Sequence, residues 1–143
     1  MLKQSIIIAA LAVASLSQVA HARDTELKLP IKAVLDRPDY AEKVGTQVKF
    51  YFGSDKKVPS TNLGEFVTNK KTNAFGKSDE EACQWAMLSA LIELRDRALK
   101  EGGTQVVDVN SYYKKNEFRS NTEYECHAGG VIAGVALKAT VLK

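Results

Sequence analysis

The chain has 143 residues, of which 45% are hydrophobic and 26% charged, and its formal net charge is +3. A charge this balanced argues against a nucleic-acid binder or an anionic-membrane binder, so neither is expected among its partners. The length suits one domain with its own core.

The first residues read "MLKQSIIIAALAVASLSQVAHARDTE". Lys3 supplies a positive start, Ile6 to Val13 an apolar run, and Ala20-His21-Ala22 the small-x-small pattern that signal peptidase accepts. This predicts a cleaved signal peptide over residues 1–22 and a mature chain from Arg23. The apolar run is short for a bilayer crossing, so no membrane insertion is expected after cleavage. Residues 23–143 are therefore read as a single periplasmic α+β domain, periplasmic or secreted. The absence of a cysteine near the cleavage site argues against a lipid anchor.

Within that domain, "LPIKAVLDRPDYAEKVG" places Pro30 to open a short helix with Ile31, Val34 and Leu35 on one face, broken at Pro38. "TQVKFYFG" reads as a strand closed by Gly53, and "GEFVTN" as a second short strand. From Ser78, "SDEEACQWAMLSALIELRDRALKEGG" carries a capping box, Ser78 with Glu81, and Gly102-Gly103 marks its end. Cys83, Met87, Ala90, Leu91, Leu94 and Ala98 share one helical face. Trp85, Leu88, Ile92 and Leu99 form a second apolar ridge, to be covered by the N-terminal segment or used as a partner surface.

"TQVVDVNSYY" follows as a strand with Val107 and Val109 pointing the same way. Lys114-Lys115-Asn116 gives a turn, "NTEYEC" another strand, and Gly129-Gly130 a reversal. The last segment alternates Val131, Ala133, Val135, Leu137, Ala139 and Val141 on one face. Together these predict an α+β fold, one long helix packed on a mostly antiparallel sheet of about four to five strands.

Two cysteines, Cys83 and Cys126, in an exported chain favour a disulfide between the helix and the sheet. A single disulfide closing so long a loop is worth ~4 kcal/mol in the chain-entropy model. The alternative is a metal or redox site built from Cys83, Cys126 and His127. It lacks a fourth ligand and any CxxC or HxxxH spacing, and Cys126 and His127 point to opposite faces of a strand. No GxSxG elbow, GxGxxG turn or GxxxxGK[ST] loop occurs, so no catalytic residue, nucleotide or other cofactor is expected.

The runs "VKFYFG", "TNKKTNAFGKSDEEACQWAMLSAL", "EGGTQVVDVNSYYK" and "GGVIAGVALKATV" resemble a family of small exported proteins of Gram-negative bacteria. Its members often bear the label "excinuclease ATPase subunit", which this sequence contradicts: it has neither a P-loop nor CxxC pairs. The resemblance spans nearly the whole mature chain and implies no established activity. A looser likeness links the helix ending in Gly-Gly, the Val-rich strand and the final small-residue strand to the periplasmic domain of the Rcs stress-sensor lipoprotein. That likeness implies a helix-to-sheet disulfide and a role in the envelope stress response. The resulting expectation is a non-enzymatic periplasmic protein that binds another envelope component, with Trp85, Leu88 and Ile92 as its partner surface. Its oligomeric state is left open.

Overall fold

Alternation of apolar and polar residues gives a strand one side to turn toward a helix, as the final strand does toward the long helix of this fold. The computed structural model describes residues 23–143; the predicted signal peptide over residues 1–22 lies outside them. In chain order the elements are β1 (Thr25–Pro30), α1 (Ile31–Leu35), α2 (Tyr40–Lys43), β2 (Lys49–Phe52) and β3 (Asn62–Asn73). They continue with α3 (Asp79–Lys100), β4 (Gln105–Tyr113), β5 (Asn116–Phe118), β6 (Glu123–Ala128) and β7 (Ile132–Leu142).

The expected fold needs correction. Among the described residues the sheet has seven strands, not four to five, and it is the dominant part of the molecule. Three helices accompany it instead of one, although α1 and α2 are single short turns. One neighbouring pair, β2 with β4, is parallel. Three features account for the difference. Leu27 and Leu29 alternate with charged residues in β1, which then pairs with β6 from Thr25↔Ala128 to Pro30↔Glu123. The polar tail of β3, through Lys70, Lys71 and Thr72, is held extended by pairing with β7 down to Asn73↔Ile132. There the neighbouring strand overrides weak intrinsic preference. Finally, the turn at Lys114 and Lys115, both at positive φ, folds β5 back onto β4.

Helix α3 starts as its capping box predicts, with Ser78 Oγ accepting the Glu81 N–H at 3.1 Å. It buries Cys83, Met87, Ala90, Leu91, Leu94 and Ala98 against Ala133, Val135, Leu137, Ala139 and Val141 of β7. Along β4 the expected alternation breaks. Asp108 sits at φ 51 and the register with β7 shifts between Val107 and Asn110. Val106 and Val109 therefore join the helix-side core while Val107 does not, so Val107 and Val109 do not share a face. Among the described residues α1 and α2 pack against α3, so the helices share one side and the opposite face of the sheet carries no helix.

Candidate functional site

Cys126 and His127 are neighbours on β6, and a strand sends neighbours to opposite faces. Tyr124, Cys126 and Ala128 enter the core beneath α3. Cys126 is bonded there to Cys83, with Cα atoms 5.9 Å apart and both residues fully buried. The bridge ties the first turns of the helix to the sheet, and it is the bond of an oxidising, non-cytoplasmic compartment. Both thiols are thereby consumed, on the side away from His127.

Glu125 and His127 take the uncovered face. Register places Glu26 opposite His127 and Lys28 opposite Glu125, so the four side chains form one patch. His127 Nδ1 meets Asp24 Oδ1 at 3.1 Å and Nε2 meets Glu125 Oε2 at 3.2 Å. The second Glu125 oxygen accepts from Lys28 Nζ at 2.7 Å, and Lys28 also pairs with Glu26. Glu125 is only 9% exposed, and its backbone N–H donates to Ser111 Oγ at 2.9 Å. A buried carboxylate is tolerated because each of its oxygens has a polar partner, Lys28 for one and His127 for the other. The network also tunes its members: Glu125, then Glu26, raise the Lys28 ammonium, and Lys28 holds the Glu26 carboxyl below its ordinary range.

Tyr113 covers the imidazole, stacked on it with centroids 3.4 Å apart. Beside this stack opens a cleft of about 560 Å³, bordered by Asn69, Lys71, Tyr113, His127, Val131 and Ile132. Arg23 frames one end, donating twice to Asp79 at 2.8 and 2.9 Å and once to the Gly129 carbonyl at 2.9 Å. The segment just before β1, the N-terminus of α3 and the β6–β7 turn are thus pinned together around the opening.

The imidazole faces a carboxylate through each nitrogen. A general base needs one nitrogen directed at a nucleophile, and here neither is. Direct contacts of 3.1 and 3.2 Å are hydrogen bonds. Among the described residues, no set of three or more His, Cys, Asp or Glu side chains is arranged to hold a metal ion. The trio Cys83, Cys126 and His127 is not brought together.

The second helical ridge lies elsewhere. Leu88 is 1% exposed and belongs to the core; Trp85 and Ile92 are half-buried against it. Arg37 and Lys43, from the α1–α2 segment, stand over the Trp85 ring at 4.7 and 5.1 Å. The sequence reading did not single out Asp24, Lys28 or Glu125. The alternation in "EYECHA" was the available signal, because it sets Glu125 and His127 on one face against Cys126 on the other.

The site and fold define a disulfide-bonded sheet domain, backed on one face by helices and, among the described residues, without a helix on the other. Comparison with family models, with curated proteins and with solved structures finds no match to this chain. Among the described residues, no helix is long and apolar enough to cross a membrane.

Proposed function

We propose that this chain is a non-enzymatic binding domain of the periplasm, delivered by a signal peptide over residues 1–22. In this reading it belongs with the small exported Gram-negative proteins it resembles, and it engages another envelope component, in the setting of the envelope stress response. The observation that carries the reading is the cleft on the uncovered sheet face, beside the Tyr113–His127 stack. Its walls are held by matched charges and a stacked ring, so the shape is set before a ligand arrives; such preorganisation lowers the ordering cost of binding. Lys71, Asn69, Val131 and Ile132 offer a cation, an amide and exposed apolar surface at the rim, a mixture suited to recognition. Engagement of both imidazole nitrogens by carboxylates further favours binding over catalysis.

The test is a photo-crosslinking amino acid at Val131 or Ile132 in cells, with Lys100 on the helix side as control. A discrete adduct from the two rim positions, lost when Tyr113→Ala or His127→Ala is added, is the expected result. Equal labelling from Lys100, or none from the rim, would defeat the reading. Fractionation of the same cells should yield a periplasmic protein beginning at Arg23.

A further inference from the structure

β3 is the longest strand and it lies at an edge of the sheet. It pairs with β7 from Asn62 to Asn73, and its other side takes no strand among the described residues. An edge of that length is a ready template for another strand unless something blocks it. We infer that β3 is a self-pairing surface, and that two copies of this chain join β3 to β3 antiparallel across a two-fold axis at Thr68.

The register follows from three constraints. Directly opposed residues in an antiparallel pair share a face, and a continuous sheet keeps both α3 helices on one side. Odd-numbered residues of β3 must then oppose odd-numbered ones, so the axis passes through a residue. Centring on Lys70 or Lys71 would set lysine against its own copy, and like charges directly opposed are destabilising. Centring on Phe66, Val67 or Asn69 gives no opposite-charge pair. Centring on Thr68 places Glu65 opposite Lys71 twice, once on each side of the axis.

Other observations agree with that centre. Glu65 and Lys71 are both exposed on the face without helices, in register with Thr140 and Gly134 of β7. Among the described residues Glu65 pairs loosely with Lys138, at 3.9 Å. Lys70, on the helix side, is already paired with Glu93 and would lie opposite Phe66. Val67, 55% exposed, gains Asn69 of the other copy as its cross-strand neighbour. The same centre runs residues 63–73 of one copy along 63–73 of the other, nearly the whole strand. The lysines that would guard a lone edge thus select one register.

The inference goes beyond the ligand cleft, although Asn69 and Lys71 border both, and its readout, association of the purified protein, needs no ligand. Sedimentation velocity of the purified, oxidised protein is expected to show a dimer. Glu65→Lys alone and Lys71→Glu alone should each weaken it on the order of tenfold, because two attractions become two repulsions. Combining Glu65→Lys with Lys71→Glu should restore it, with melting temperatures reporting that each variant is folded. A Glu65→Cys/Lys71→Cys protein should form a covalent dimer on a non-reducing gel. Within one strand those positions lie roughly 20 Å apart, too far for an internal bond. A monomer at all concentrations, a dimer indifferent to the single reversals, or no covalent dimer would overturn the inference.

Discussion

His127 lies flat against Tyr113, ring centroids 3.4 Å apart and planes 12° from parallel. That stack joins β4 to β6 across the uncovered face of the sheet. Tyr113 ends β4 and His127 sits on β6, and both strands share one edge of β7, β6 beside Ala133–Gly134 and β4 further along. Replacing His127 with Ala removes the stack, unpairs Asp24 and leaves the buried Glu125 with Lys28 alone as its side-chain partner. The expected loss is about 1–3 kcal/mol in urea unfolding. Free-thiol titration of the same variant should stay at zero, because Cys126 faces the other way.

The Cys83–Cys126 bridge joins residues 43 apart and is fully buried at both ends. Substituting both cysteines with Ala should lower stability by ~4 kcal/mol in the chain-entropy model. Urea unfolding of oxidised protein against the double variant measures this. A redox-active pair would instead reduce readily under mild thiol buffer, which full burial opposes.

Trp85 is expected to behave as a packing residue. With Arg37 and Lys43 over its ring and the core beneath, Trp85→Gln should cost on the order of 2 kcal/mol or more. Thermal unfolding checks the loss. The sedimentation profile of the folded variant should not change, since β3 is untouched.

Gly103 sets how closely α3 meets the sheet. A Cβ there would lie 2.4 Å from Val141 Cγ1 and 2.8 Å from the Leu142 carbonyl oxygen. Its N–H donates to the Ala98 carbonyl at 2.7 Å, so the residue cannot simply move away. Gly103→Ala is expected to destabilise by ~1–3 kcal/mol, read from the melting temperature.

Acid should weaken the fold through Asp39 and Asp79. Hydrogen bonds from Arg37 and Arg23 hold their carboxyls below the ordinary value of 3.8. A depressed folded pKa contributes stability above the unfolded value, and that contribution is lost as pH falls through the folded one. Melting temperature should therefore drop below about pH 4, less steeply in an Arg23→Gln/Arg37→Gln variant. At the alkaline end, burial pushes the Tyr40 phenol up to about 12 from 10.0. That contribution is present below pH 10 and fades as pH rises toward 12, so Tyr40→Phe should flatten the alkaline decline.

Local chemistry was legible wherever the chain decides by itself. The Ser78–Glu81 cap, the helical face from Cys83 to Ala98 and the alternation of β7 from Ala133 to Val141 depend on neighbours three, four or two residues away and are found as read; Val131, expected on the same face, stands before the strand and is 63% exposed. The short turn after Pro30 forms and buries Ile31 and Val34, but Leu35, expected on the same face, is exposed. The pairing of the only two cysteines followed from their number and from the periodicities of helix and strand.

What the sequence did not disclose depends on partners distant in the chain. β1 and the second half of β3 are polar segments whose extended form comes from bonding to β6 and β7, as far as 103 positions away at Thr25↔Ala128. The bulge at Asp108 reverses the side on which Val107 falls, a choice forced by fitting β4 between β2 and β7. The Asp24–His127–Glu125–Lys28 network exists because register sets β1 beside β6. Periodicity assigns each side chain a face; only the packed sheet decides which faces meet, because long-range pairing is fixed by the sum of contacts over the whole molecule.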